Sequence, residues 1–155
     1  MNEYLLTKLI HVLSSTLLFG TGIGSAFYLL VSTLRRDAVV VAAVARIVVV
    51  ADVLFTATTA VLQPLSGWWM VRVSRMSLDQ AWLQWSIWLY VLAIACWLPV
   101  VWLQVRLRDI ATEAAARKLP LPKSYDRLFL WWVLLGIPAF FAFVAIFALM
   151  VIKPG

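Results

Sequence analysis

Two ionisable side chains in this 155-residue chain could do chemistry within long apolar runs. His11 is the only histidine, and its imidazole could ligate haem b. The second haem ligand would then be Met70, Met150 or the His11 of a second copy, or that position would stay open. A histidine that only hydrogen-bonds Gln63 or Gln84 at the rim of a helical bundle is the structural alternative.

Asp52 is the only charged residue inside the apolar runs. An ionisable side chain is costly in lipid, so Asp52 either marks a proton or substrate path or fixes the packing of neighbouring helices. A proton relay would need a further titratable group, and only His11 is available. The gap between the two is about 25 Å, estimated from the helical rise per residue, and water would have to bridge it.

Polar residues recur on one face of the run that contains Asp52. Their spacings of four, three, four and three residues are typical of a single helical face. The preceding run carries His11, Ser15, Gly22 and Ser25 on one face by the same arithmetic. We expect these two faces to meet, because consecutive helices with a short connector pack antiparallel. The predicted intramembrane polar stripe comprises Asp52, Thr56, Thr59, Gln63, Ser66, Ser15, Ser25 and Gln84.

Four apolar runs are long enough to cross a membrane and must position these side chains. A hydrocarbon core about 30 Å thick requires roughly 20 apolar residues. With 65% hydrophobic and 13% charged residues, the composition excludes a soluble domain. We therefore predict an all-α polytopic membrane protein, an antiparallel four-helix transmembrane bundle that forms a single domain over residues 1–155. The predicted spans are residues 9–34, 47–71, 80–105 and 128–152.

The helix ends can be predicted from local signals. Ser77 and Gln80 have the spacing of a capping box, which predicts that the third helix begins near Leu78. Residues 106–118 are predicted to extend that helix beyond the membrane, until Pro120 stops it. The predicted connectors between the membrane spans are residues 35–46, 72–79 and 106–127, and the last of these includes the helical extension.

Basic residues are divided unevenly between the two predicted rims. Lys8, Arg72, Arg75 and Lys153 fall on one rim, and nine basic residues fall on the other. By the positive-inside rule the richer rim is cytoplasmic, which places both termini outside a bacterial inner membrane. The formal charge of +6 therefore indicates contact with anionic lipid and predicts no nucleic-acid partner. The nine residues are Arg35, Arg36, Arg46, Arg106, Arg108, Arg117, Lys118, Lys123 and Arg127.

Small residues form a second face on the first span. Thr16, Gly20 and Gly24 follow one another at four-residue spacing, a pattern that permits close approach of another helix. The approaching helix is either the fourth span or a second copy, so a homodimer through this face is one predicted partner. No HExxH, CxxC or GxSxG motif occurs, so the sequence predicts no metal centre and no hydrolase or thiol-redox site.

Several short strings resemble a known family over nearly the whole chain. The chain looks like the bacterial predicted integral membrane proteins grouped as domain of unknown function twenty-two sixty-nine. That resemblance implies a membrane topology and no defined chemistry. The strings are Leu9-Ile10-His11, Ala45-Arg46-Ile47 leading to Ala51-Asp52, Gln63-Pro64-Leu65-Ser66-Gly67 and Trp97-Leu98-Pro99-Val100-Val101-Trp102-Leu103-Gln104.

A second resemblance is confined to the first span. HemJ-type protoporphyrinogen oxidases also place a histidine in a Lys-x-x-His string near the start of their first span, and Lys8 and His11 match that string here. The histidine is a haem ligand in that family, so the resemblance implies the same role for His11. The later histidine and lysine positions of that family have no counterpart in this chain.

Three functions follow from these observations, and the sequence does not decide whether the protein is an enzyme. The first is a haem-binding or porphyrin-handling redox protein with His11 as axial ligand. The second is a non-enzymatic membrane subunit or assembly partner that packs through Gly20 and Gly24. The third is a small transporter that uses the stripe from Asp52 to Gln63.

Overall fold

A computed structural model describes residues 2–154, and long helices account for all four apolar runs. Four helices are long and apolar enough to cross a membrane, which confirms the predicted all-α membrane fold. The second of these is continuous over residues 38–74 but changes its winding in the middle. The elements are α1 (Glu3–Leu34), α2 (Ala38–Ala51), a π-helical segment (Asp52–Ala57), α3 (Thr58–Ser74), α4 (Ala81–Ala116) and α5 (Lys123–Ile152).

The segment predicted as the connector over residues 35–46 is mostly helical, because only residues 35–37 separate α1 from α2. Asp37 caps α2: its side chain accepts hydrogen bonds from the backbone N–H groups of Val39 and Val40. Hydropathy places the start of this span at Ile47 because it detects where a helix can enter lipid. The helix itself starts earlier, at its capping residue.

The predicted start of α4 is also wrong. The Ser77 hydroxyl donates to the Asp79 carboxylate and accepts the backbone N–H of Asp79, so it is engaged in a local turn. α4 begins at Ala81, with Gln80 as a cap residue whose side chain makes no capping bond. At the other end, the predicted helical extension beyond residue 105 is confirmed as far as Ala116.

Four helices end on a basic residue with a left-handed backbone. Arg36, Arg75, Lys118 and Lys153 have φ angles of 58°, 52°, 55° and 45°. Glycine usually occupies such positions, because a Cβ atom makes this conformation unfavourable. A positive charge near the carbonyl end of a helix offsets part of this cost through the helix dipole.

The apolar core lies toward the rim that carries nine basic residues. Leu29 of α1, Val41 of α2, Leu107 of α4 and Tyr125 of α5 are fully buried there. Small residues of α2 and α4 surround them, and these allow the two helices to approach closely. The four small residues that are most deeply buried in this cluster are Ala42, Ala45, Ala111 and Ala114.

Aromatic contacts join α1 to α5 farther along the membrane. The Phe19 ring centroid lies 5.8 Å from that of Phe140 and 5.2 Å from that of Phe147. Large apolar side chains cover the outer surfaces of all four spans and are exposed, as expected for helices that contact lipid. Side chains of this kind include Phe27, Ile47, Trp88 and Phe141.

Candidate functional site

The five polar residues predicted on one face of the second span are all buried. They lie against α1 in reverse chain order, since Trp69 contacts Glu3, Ser66 contacts His11, and Asp52 faces Ser25. Antiparallel packing of the other spans stays a prediction. The five buried residues are Asp52, Thr56, Thr59, Gln63 and Ser66.

His11 belongs to a cluster of four hydrogen-bonded residues, here called the outer cluster. Its Nδ1 atom lies 2.8 Å from Ser66 Oγ. Gln63 Nε2 donates to the His11 carbonyl oxygen at 2.9 Å and also to the Ser14 hydroxyl. The Ser14 hydroxyl in turn donates to the His11 carbonyl oxygen at 3.0 Å. These bonds tie α1 to α3 through both backbone and side-chain groups.

The Ser66 side chain has two possible acceptors for its single hydroxyl proton. Ser66 Oγ lies 2.7 Å from the Leu62 carbonyl oxygen and 2.8 Å from His11 Nδ1. Donation to Leu62 requires the proton of the His11 ring to be on Nδ1, whereas donation to His11 requires it to be on Nε2. The ring packs over Gly67, where an added Cβ would lie 3.5 Å from Cε1. His11 thus contacts α3 through a hydrogen bond and through its ring.

Asp52 belongs to a second group of polar side chains, here called the inner cluster. Thr56 Oγ1 donates to Asp52 Oδ1 at 3.0 Å, and the side chains of Ser25 and Gln104 face the same carboxyl group. All four side chains are buried. Gln104 Oε1 has no hydrogen-bond partner within residues 2–154. The inner cluster joins α1, the second span and α4 at one point.

Two irregularities shape the second span between the clusters. The π-helical segment starts at Asp52, and π turns inside helices are frequent at functional sites. Farther on, Pro64 has no N–H and leaves the carbonyl oxygen of Ala60 without its helical donor. Tyr90 of α4 donates its hydroxyl proton to that oxygen. Pro64 therefore provides the attachment point for a neighbouring helix.

Other predicted site residues lie elsewhere. Gln84 is exposed on α4 and is not buried with the five residues of the second span. Ser15 is half-buried and donates only to the Val12 carbonyl oxygen of its own helix. Met70 and Met150 are both half-buried. The buried position that the sequence analysis assigned to Ser15 is occupied by its neighbour Ser14.

Sequence reasoning missed Ser14 and Gln104. Ser14 follows His11 by three residues, a spacing that also places two residues on one helical face. Gln104 lies between the buried residues Val100 and Leu107, at spacings of four and three. The helical periodicity of α4 could have identified Gln104, although it is one polar residue in a long apolar helix.

A groove lies between α1 and the second span, farther along α1 than the outer cluster, and we call it the first-helix groove. It has a volume of about 480 Å³ and is lined by Thr16, Gly20, Gly24 and Tyr28 of α1, together with parts of α2 and the π-helical segment. None of the residues that line it is charged. A Cβ atom added to Gly20 would meet nothing within 4 Å. The small residues predicted as a packing face thus border open space.

The sequence profile of a family described as predicted integral membrane protein (DUF2269) matches residues 5–154. The chain belongs to the DUF2269 family. No curated protein and no solved structure matches it. Membership in DUF2269 confirms the first resemblance found in the sequence and establishes a multi-pass protein in a lipid bilayer.

The DUF2269 chain can be tested for its fit to haem. His11 offers a suitable nitrogen, but it is the only histidine of the chain. His11 is not among the residues that line the first-helix groove or the cavity formed by residues 36–39 and 115–120. Across residues 2–154, no three His, Cys, Asp or Glu side chains are grouped to hold a metal ion. Haem ligation by His11, Met70 or Met150 stays a prediction.

Proposed function

We propose that this DUF2269 protein is a non-enzymatic membrane subunit that pairs with a second copy of itself through the first-helix groove. The observation that carries the proposal is the open space beside Gly20. The chain of residues 1–155 acts as one unit in this assembly. The small-residue face of α1 is the contact surface.

The glycines of the groove have no role in the packing of their own chain. Neither Gly20 nor Gly24 has a positive φ angle, and an added Cβ at Gly24 would only reach Tyr28 at 4.0 Å. A glycine inside a helix costs about 1 kcal/mol relative to alanine. Close approach of a helix from outside the chain explains why glycine is present despite this cost, because glycine lets two backbones come together.

A second copy suits the groove because of its chemistry and symmetry. The lining carries no charge, so the occupant must also be uncharged along its contact face. α1 itself has no charged residue between Leu9 and Leu34. In a two-fold symmetric pair each chain offers the same surface, and the small face of one α1 meets the small face of the other.

The buried polar clusters support this function by holding the groove in shape. Ser25 lines the groove and also faces Asp52, while the outer cluster ties the start of α1 to α3. The polar stripe is engaged in hydrogen bonds within the chain. This arrangement favours a packing role for Asp52 and Gln63 over a transport path.

Cross-linking in membranes tests the proposal. In a Cys96→Ser background, Thr16→Cys should form a disulfide-linked dimer when an oxidant is added. Gly20→Leu should reduce the cross-linked fraction roughly tenfold, since about 1.4 kcal/mol of lost packing weakens association by that factor. Gly136→Leu on α5 is the matched control, because Gly136 also borders open space but lies outside the groove.

Each possible result bears on the proposal. A Thr16→Cys protein that stays monomeric, or equal dimer loss in the Gly20→Leu and Gly136→Leu variants, would overturn it. Haem binding through His11, the one histidine of the chain, is the second candidate function, with more than one chain contributing to the site. The proposed subunit should be colourless when purified from haem-replete cells, whereas a Soret band that disappears in His11→Ala would establish the haem function instead.

A further inference from the structure

A pocket lies at the rim that carries nine basic residues, between the α1–α2 turn and the connector that follows α4. Its volume is about 320 Å³. Arg36 and Asp37 line one side, and Lys118, Leu119 and Pro120 line the other. We call it the basic-rim pocket. It is separate from the polar clusters and from the first-helix groove.

The two walls of the pocket are held together by side-chain contacts. Thr33 Oγ1 and the Tyr125 hydroxyl lie 2.8 Å apart, and both side chains are buried. Arg36 forms a two-pronged ion pair with Asp126 of α5, in which Nη2 lies 3.3 Å from Oδ2. These contacts fix the α1–α2 turn against the start of α5. The pocket is therefore formed before any ligand binds.

The acidic side chains near the pocket are already engaged. Asp37 accepts the N–H groups of α2, Asp126 pairs with Arg36, and Glu113 pairs with Arg117 at 2.8 Å. Lys118 makes no ion pair within residues 2–154. The bond to Asp126 raises the pKa of Arg36 above its ordinary value, so its charge persists at physiological pH. The pocket lining has two positive charges, on Arg36 and Lys118, and one negative charge, on Asp37, so its net charge is +1.

Exposed apolar side chains stand beside these charges. Val39 is 64% exposed and Leu119 is 55% exposed, and both line the pocket with Arg36 and Lys118. The pocket also lies where α1 and α4 end, near the level at which the spans leave the membrane. A ligand that satisfies both halves of this lining needs an anionic group joined to an apolar one. Membrane phospholipids have this chemistry.

We propose that the basic-rim pocket binds the phosphate of an anionic phospholipid, with Arg36 and Lys118 as its cationic ligands. The glycerol and upper acyl chain lie against Val39 and Leu119. The site places a specific lipid between the two turns at this rim. It requires no partner chain and no dimer.

Native mass spectrometry of the detergent-purified protein tests this site with phosphatidylglycerol as the probe. The wild-type protein should retain phosphatidylglycerol and release phosphatidylcholine. Lys118→Gln should weaken phosphatidylglycerol retention about fivefold, the effect expected for one lysine near an anionic lipid surface. Lys123→Gln is the matched control, because it removes one exposed charge from the same rim outside the pocket. Retention in the control should change less than about twofold by comparison.

The remaining outcomes decide against the site. Equal losses in Lys118→Gln and Lys123→Gln would mean that lipid responds only to the overall charge of the rim. Unchanged retention in Lys118→Gln would exclude this residue as a ligand. Inorganic phosphate is added as a competitor, and full displacement of the lipid at equal concentration would show a phosphate site without lipid preference. Arg36→Gln is a less selective variant, because it also breaks the ion pair with Asp126.

Discussion

Ser66 holds the His11 ring against α3. Its hydroxyl lies within hydrogen-bond distance of His11 Nδ1 and of the Leu62 carbonyl oxygen, and its one proton can go to either acceptor. Hydrogen-bond partners of this kind orient histidine ligands in metalloproteins. In this chain the same geometry also joins two membrane helices. The bond therefore has a measurable structural role, whether or not Nε2 binds anything.

The His11–Ser66 bond should appear as a coupling energy in a double-mutant cycle. We expect His11→Ala and Ser66→Ala to couple by about 0.6 kcal/mol and by no more than about 1.7 kcal/mol, the range for hydrogen bonds between membrane helices. The measurement is reversible unfolding of the purified protein in micelles. A control cycle pairs His11→Ala with Ser74→Ala, because Ser74 Oγ donates only to backbone carbonyl oxygens of its own helix. Coupling as large in the control as in the test cycle would contradict the assignment.

The polar residues were predictable where they repeat and less so where they stand alone. The five-residue stripe could be read from its spacing, and each member is buried. To choose between Ser14 and Ser15, one must know how α1 is rotated about its own axis. The neighbouring helices determine that rotation. Gln104 could not be assigned to Asp52 because the contact joins residues far apart in the chain. Periodicity identifies a face but does not identify what that face meets.

At the scale of helices, the bond from Tyr90 to Ala60 depends on Pro64. Proline removes the N–H that would otherwise bond the Ala60 carbonyl oxygen, and the tyrosine hydroxyl replaces it. Tyr90→Phe should lower the free energy of unfolding by about 0.6 to 1.7 kcal/mol in the wild-type background. In a Pro64→Ala background the loss should be smaller, because the substituted alanine supplies its own N–H to the Ala60 carbonyl oxygen.

The comparison is made by unfolding all four proteins under the same micellar conditions. Tyr4→Phe controls for the removal of a phenolic hydroxyl that makes no hydrogen bond within residues 2–154. An undiminished effect of Tyr90→Phe in the Pro64→Ala background would show that the tyrosine bond is independent of the proline.

Helix boundaries were less predictable than the presence of four spans. Hydropathy found every span, because lipid requires long apolar runs regardless of how their ends are built. It missed the first two turns of α2, whose start depends on the cap formed by Asp37. The π-helical segment left no signal in the sequence pattern. A local change in winding preserves the order of the residues while altering their hydrogen bonds.

The whole molecule has different contacts at its two ends. The apolar core lies toward the basic rim, where Tyr125 and Leu107 are fully buried. Toward the opposite rim, the hydrogen bonds of the outer cluster join α1 to α3. We expect the basic rim to face the cytoplasm, since positively charged loops are retained on that side during insertion.

Cysteine labelling in intact cells tests this orientation. In a Cys96→Ser background, Ser77→Cys should react with a maleimide that cannot cross membranes, and Ser124→Cys should react only after the cells are permeabilised. The two positions form a matched pair, because both serines are exposed and lie at opposite rims. The reverse pattern would place the termini inside and contradict the expectation.

The π-helical segment fixes the rotation of everything that follows it in the second span. A π turn holds one residue more than an α turn, so a relative with one residue fewer between Asp52 and Ala57 could wind this segment as a regular α-helix. Its counterparts of Gln63 and Ser66 would then still face α1. A deletion of one residue elsewhere in the second span would instead turn the later residues by about 100° around the helix axis and point them into lipid.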